Sequence, residues 1–165
     1  MPNASPPIEV RTLTRGHGVF ALTDLPAGAV ILAFVGEEVA TPNRRTLQLD
    51  DTRHLDIPAA CSEAEAVTRF PWRYLNHGCD PNARVAGRDL VALRAIAAGE
   101  QIRFDYNTTE WELAEPFACS CGEGACTGQW VRGLAHLPRE TQDGLRGHLA
   151  PHLRNALDRQ RAGET

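Results

Sequence analysis

Arg73-Tyr74-Leu75-Asn76-His77-Gly78-Cys79-Asp80-Pro81-Asn82 sets an amide, an imidazole and a thiol within four consecutive positions. Alone, the Asn76-His77 pair reads equally well as a satisfied polar couple, whereas His77 and Cys79 are each able to ligate a metal. The reading turns on cysteines further along. Cys61 and Cys79 stand apart, but Cys119, Cys121 and Cys126 crowd into eight positions. In Cys119-Ser120-Cys121 the alternation of an extended chain points two thiolates to one side, and Gly122 and Gly124 let the backbone turn back to present Cys126. A structural zinc site takes four ligands, so three cysteines require a fourth donor. Cys79, Cys61, His77 and His136 are the candidates; spacing does not choose among them, although sulfur is the commoner companion for three sulfurs.

The rest of the composition fits this metal reading. The chain has 165 residues and a mass of 18.0 kDa, enough for one domain with a real core and no disulfide staples. Residues 1–7 hold three prolines and no basic start followed by an apolar run, so a loose tail is expected rather than a secretory signal. That makes the cytoplasm the expected compartment, where thiols bind metals more often than they form disulfides. The longest apolar stretches, such as residues 29–35, are far too short to span a membrane. Net charge is -4, and the 17 basic residues, every one an arginine, are scattered singly apart from Arg44-Arg45. No nucleic-acid-binding stripe results, so direct sequence-specific contact with nucleic acid is not expected. The absence of lysine would prevent a lysine-modifying enzyme from modifying itself, but base composition is the simpler origin.

Short runs rich in β-branched and aromatic residues, separated by Gly and Pro, predict strands over residues 8–13, 18–22, 29–35, 88–95 and 100–106. One pattern recurs at a constant offset: Ala21-Leu22, Leu25, Ala27-Gly28 and Ile31 return as Ala92-Leu93, Ile96, Ala98-Gly99 and Ile102. Both copies read as strand, glycine turn and strand, that is, as paired hairpins. Ser62 followed by Glu65 is a capping box that opens a short helix over residues 62–69. Leu145, Leu149, Leu153 and Leu157 recur every four residues around Pro151, which predicts two C-terminal helices or one kinked helix with a core-facing seam.

Three ordered strings and the cysteine segment then carry a resemblance. Arg15-Gly16-His17-Gly18-Val19-Phe20-Ala21, the stretch 73–82, and Gly99-Glu100-Gln101-Ile102-Arg103-Phe104-Asp105-Tyr106 are similar to the successive hallmarks of SET domains. Cys119-x-Cys121-x4-Cys126-x-Gly128 resembles the post-SET zinc motif that follows them, as in small stand-alone members of bacterial type. The resemblance covers residues 10–130. It implies a mostly β SET fold of small curved sheets with a knot-like crossing, where the 76–82 segment and the strand ending at Tyr106 thread together. The divisions it implies are a SET domain over 8–114, a post-SET zinc segment over 115–133 and a C-terminal helical extension over 134–165.

The same resemblance implies methyl transfer from S-adenosylmethionine to a lysine side chain of a protein or peptide. Arg15, Gly16, His17, Gly18, Arg73, Tyr74, Asn76 and His77 would hold the cofactor, although Arg73 has the plainer alternative of pairing with an acid. Tyr106 matches the active-site tyrosine. Phe104 stands where the family carries Phe or Tyr, and Phe leaves room for dimethyl or trimethyl lysine. Cys79 becomes the fourth zinc ligand beside Cys119, Cys121 and Cys126, and Cys61 is left as an ordinary thiol. Two positions depart from the pattern: Phe34 replaces a tyrosine that could bond the lysine amine, and Gly78 replaces a serine. Trp111, Phe117 and Trp130 either wall the lysine channel or pack the core. A SET module that only binds a peptide or partner, or an enzyme acting on a free peptide or small molecule, is the competing expectation.

Overall fold

In the computed structural model residues 6–164 are described, so the first five residues of the expected tail lie outside the described residues. Pro6 and Pro7 are tied to the fold, because their carbonyls accept hydrogen bonds from the amides of Ile8 and Leu22 at 2.7 and 2.9 Å. The chain then runs through β1 (Ile8–Thr12), β2 (His17–Ala21), β3 (Val30–Ala33), β4 (Glu37–Val39), β5 (Leu47–Gln48) and β6 (His54–Asp56). Helix α1 (Glu63–Arg69) leads into β7 (Asn76–His77), β8 (Ala83–Ala86), β9 (Asp89–Ala92) and β10 (Gln101–Phe104). The hairpin β11 (Phe117–Ala118) and β12 (Trp130–Val131) precedes α2 (Arg139–Leu145) and α3 (Pro151–Gly163).

The architecture is mostly β, built from small sheets of order β1-β2-β10-β7, β3-β9-β8 and β4-β6-β5, plus the β11-β12 pair. Strands this short cannot bury enough surface alone. They share one core instead, in which Val19, Ala21, Leu55, Ala83, Leu90 and Ile102 are sealed from solvent.

The repeat proves to be an exchange rather than two hairpins. β2 and β3, which flank the first glycine turn, belong to different sheets: β2 pairs with β10 and β3 with β9, all antiparallel. The two turns face each other through reciprocal hydrogen bonds between Leu25 and Ile96 at 2.8 and 2.9 Å. The Gly28 amide donates to the Ala92 carbonyl at 2.8 Å, and, at the matching positions, the Gly99 amide donates to the Ala21 carbonyl at 2.7 Å. Gly28 and Gly99 take φ of 82° and 84°, where a side chain would be strained. Local periodicity detects the two units, but which strand each one pairs with is decided by long-range contact.

Helix α1 starts as the capping box requires: the Glu65 amide donates to the Ser62 hydroxyl at 3.3 Å and the Ser62 amide to the Glu65 carboxylate at 3.0 Å. At the C-terminus two separate helices form, with Pro151 in the first turn of α3, where its missing N–H is harmless. Leu149, Leu153 and Leu157 close with Leu134 into a second core, against which Leu145 and Trp111 pack. No helix among the described residues is long and apolar enough to cross a membrane.

Because Leu153 is fully buried in this second core, Leu153→Ala should lower unfolding free energy by about 2–5 kcal/mol. Urea denaturation checks this, and an unchanged midpoint would mean that the seam contributes nothing to folding.

Candidate active site and metal centre

Asn76 and His77 form only a two-residue strand, yet they lie parallel to β10, with Asn76 beside Arg103 and His77 beside Phe104. The Gly78 amide extends the pairing to the Phe104 carbonyl at 3.1 Å. Asn82 closes the other end: its Nδ2 donates to the Gln101 carbonyl at 2.8 Å and its Oδ1 accepts the Arg103 amide at 2.9 Å. One side chain therefore serves as a peptide surrogate, and the 76–82 segment is fastened to β10 at both ends. The segment and strand that the resemblance brings together are thus joined.

A cleft of about 960 Å³ opens beside the crossing. Arg15, Gly16, His17, Arg73, Tyr74, Asn76 and His77 border it, and so do Phe34, Phe104 and Tyr106. The Asn76 Nδ2 donates to the His17 carbonyl at 2.7 Å, which joins the two glycine-rich and asparagine-histidine strings directly. Gly16 has φ of 72°, and a Cβ there would meet open space, so its requirement is conformational. Gly18 lies off the cleft. A Cβ at Gly18 would come within 2.1 Å of the Gln101 side-chain nitrogen Nε2, so the close approach at this position is to that side chain of β10.

Tyr74 stacks edge-on to His17 with ring centroids 5.1 Å apart and donates its hydroxyl to Glu63 at 2.7 Å. Burial, helped by the negative charge of Glu63, pushes the Tyr74 phenol up to about 12. Arg73 forms an ion pair with Asp56 of β6, both largely buried, so its guanidinium is held in the wall. Phe34 packs on Trp72 with centroids 5.8 Å apart, and the Trp72 indole donates to the Val35 carbonyl at 2.9 Å.

Tyr106 begins a 3-10 turn capped by Asp105, whose carboxylate accepts the Asn107 amide at 2.9 Å. Its ring lies 5.0 Å from Phe104, 5.5 Å from His77 and 6.0 Å from Phe117. The Tyr106 hydroxyl donates to the Leu75 carbonyl at 2.6 Å, and burial raises its pKa far above neutrality. The phenol is thus neutral and oriented. His77 is buried, which lowers its pKa. Its Nδ1 accepts the Tyr106 amide at 3.2 Å, leaving the proton on Nε2, which stands 3.6 Å from the Cys79 sulfur.

Cys79, Cys119, Cys121 and Cys126 converge, with all four sulfurs within 4.8 Å of one another and Cys79 and Cys119 3.6 Å apart. A tetrahedron of metal–sulfur bonds near 2.3 Å separates its sulfurs by about 3.8 Å. The four donors therefore fit a single metal ion. Of the alternatives, Cys61, His77 and His136 do not join the set, although His77 abuts it. The Gly128 amide lowers the Cys126 thiol to about 7. Gln129, not predicted, donates to the Cys79 sulfur at 3.2 Å. Phe117 and Cys119 also border the cleft, so the cluster and the cleft share a wall.

Glu123 and Arg103 were given no role by the sequence motifs. The Glu123 carboxylate accepts from the Asp80 amide at 2.7 Å and from Arg103 at 3.2 Å, and Arg103 also donates to the Cys121 carbonyl at 2.9 Å. This pair fills the space beside Gly78, where a Cβ would lie 2.9 Å from the Arg103 Cβ and 3.0 Å from both Glu123 oxygens. That is the physical reason for glycine in place of serine. Glu110, also unpredicted, borders the cleft and is buried, which pushes its carboxyl up to about 7.

Comparison with known proteins places residues 16–107 on the SET domain family model. The chain is 32% identical over 133 residues to the human histone-lysine N-methyltransferase EHMT1, covering 70% of this chain and 10% of that protein. It is 34% identical over 149 residues to the H3 lysine-36 specific histone-lysine N-methyltransferase of Aspergillus fumigatus, covering 81% of this chain and 15% of that protein. The chain thus spans a small part of these relatives' length. Among solved structures, KRYPTONITE in complex with mCHG DNA and SAH matches with a TM-score of 0.56 and 23% identity, over 76% of this chain and 28% of that one. This likeness is one of fold.

Gly78→Ser should cost about 1–3 kcal/mol of stability, because the new side chain meets the fixed Arg103 Cβ. Chemical denaturation reads it; a neutral substitution would show that Arg103 and Glu123 move aside freely.

Proposed function

The chain belongs to the SET-domain family, and from that membership we propose that it transfers methyl groups from S-adenosylmethionine to lysine side chains of a protein or peptide. The observation that carries this reading is one continuous cleft. Gly16, His17, Asn76 and His77 border it together with the aromatic group of Phe34, Phe104 and Tyr106. The solved relative's complex with SAH and the relatives' names as histone-lysine N-methyltransferases support the cofactor and the acceptor.

S-adenosylmethionine, when bound, supplies a sulfonium methyl group for in-line displacement by an amine. The residues of the chain hold and align the reactants, a contribution worth about 7–11 kcal/mol in well-oriented systems. The backbone around Gly16 and His17, locked to Asn76, forms one wall for the cofactor, and Arg15, Tyr74 and His77 complete it. Gly18 acts from behind that wall by leaving room for the Gln101 side chain, and Arg73 is fixed in the wall through Asp56. Tyr106 spends its proton on the Leu75 carbonyl, so its oxygen lone pairs face positive charge passing through the cleft. Its ring and that of Phe104 favour the same charge.

Phe34 and Phe104 offer no hydroxyl to hold a water or restrain the amine, so a methylated amine has room to turn for further transfer. Dimethyl and trimethyl lysine are the products this geometry supports.

The four cysteines hold one zinc ion, which fastens the 115–133 segment beside the cleft and couples metal binding to formation of the site. A reducing cytoplasm suits free thiolates of this kind.

Calorimetry of the purified protein should detect S-adenosylmethionine binding, and labelled methyl should appear on lysines of lysate proteins. Tyr106→Phe should lower transfer on the order of 10²-fold. Absence of cofactor binding would end the enzymatic reading in favour of a module that only binds a partner. Mass spectrometry of the product should find dimethyl or trimethyl lysine; monomethyl lysine alone would contradict the role given to Phe34 and Phe104. Metal analysis should give about one zinc per chain, and Cys79→Ser should lower that content.

A further inference from the structure

One ionisable group of the cleft has no part in the transfer described above. Glu110 follows Tyr106 by one turn, and its amide donates to the Tyr106 carbonyl at 3.0 Å. The residue is only 9% exposed. Its Oε1 accepts from the Gln48 amide of β5 at 2.9 Å and from the Thr109 hydroxyl at 3.3 Å. Both of these bonds fall on Oε1; Oε2 has no hydrogen-bond partner among the described residues, and Glu110 borders the cleft. No cation among the described residues pairs with this carboxylate. Arg44, from the loop ahead of β5, borders the same cleft, and its charge bears on Tyr106. His152 of α3 bonds the neighbouring Thr109 carbonyl at 2.9 Å, and burial holds that imidazole neutral-leaning. The other acid on the cleft among the described residues, Glu115, is exposed.

A desolvated carboxylate with one free oxygen is costly unless a cation joins it. The aromatic wall beside it suits an alkyl chain, and a lysine brings both the chain and the cation. We propose that Glu110 receives the ammonium end of the incoming lysine and takes its proton, which rests on the lysine methyl transfer proposed above. The N–H bond breaks as an O–H bond forms at Oε2, and the freed nitrogen lone pair forms the new C–N bond as the S–CH₃ bond breaks. The proton then leaves Glu110 for water through the cleft. Burial poises the carboxyl at about 7, where such an acceptor works well.

The test compares wild type with Glu110→Gln, which keeps an oxygen for the Gln48 amide. The substrates are a peptide library with a fixed central lysine and labelled S-adenosylmethionine, and kcat/KM is followed from about pH 6 to 10. Wild type should rise through pH 7, because only the deprotonated carboxyl accepts. The variant should lack that inflection and be down about 10²-fold at pH 7. Its deficit should shrink as the pH nears about 10.4, where lysine loses its proton unaided. A deficit constant across pH, or superposable profiles, overturns the proposal.

Should the variant not fold by thermal unfolding, wild-type binding of library peptides with lysine or norleucine at the centre decides. A preference for lysine that weakens below pH 6 supports Glu110, and equal binding or a pH-independent preference refutes it. A wild-type protein that methylates no lysine at any pH overturns the transfer reading itself, and this inference with it.

Discussion

The parallel pairing of two residues, Asn76 and His77, with the end of β10 is the constraint on which the rest of the site depends. A parallel pair this short would not survive alone. It persists because Asn82 supplies a second set of backbone-like hydrogen bonds and because Ile102 of β10 is fully buried in the core. From this one crossing the positions of His17, Tyr106 and Cys79 follow. Asn76 holds the His17 carbonyl, His77 holds the Tyr106 amide, and Cys79 is carried to the cysteine cluster two residues on.

The cysteine cluster and the cleft are accordingly not independent parts. Arg103 of β10 reaches the Cys121 carbonyl and Glu123, and Glu123 reaches back to the Asp80 amide. The segment between Cys119 and Cys126 is thereby fixed to the crossing by polar contacts as well as by the shared sulfur set. Gly78 is the position where these contacts crowd closest, and its lack of a side chain lets the Glu123 carboxylate approach. The second core, closed by Leu134, Leu149, Leu153 and Leu157, supports the same region through Trp111, whose amide donates to the Gln48 side chain of β5 at 2.8 Å.

Charge within the cleft follows from burial. Tyr106 and Tyr74 are held as neutral phenols, each with its hydroxyl already donated, to Leu75 and Glu63 respectively. His77 is held neutral with its free proton turned toward sulfur. Glu110, the buried acid of that cleft, has hydrogen-bond partners on one oxygen and no ion-pair partner among the described residues. Such an arrangement favours a cationic guest over an anionic one.

Much was legible in the residues themselves. The Ser62–Glu65 capping box, the leucine seam around Pro151 and strands β1, β2, β3, β9 and β10 are local patterns, set by hydrogen-bond reach and by side-chain periodicity within a few residues. The ordered strings around Gly16, Asn76 and Tyr106 identified the family, and the crowded cysteines pointed to a metal. Strands such as β4, β5, β7, β11 and β12 were not legible, because two or three residues carry no period. Nor did spacing choose Cys79 as the fourth sulfur, assign the repeat's strands to different sheets, or mark Glu110, Glu123 and Gln129. Those outcomes depend on residues far apart in the chain meeting at the crossing of β7 and β10, and only tertiary packing decides which groups are buried together and which oxygen is left without a partner.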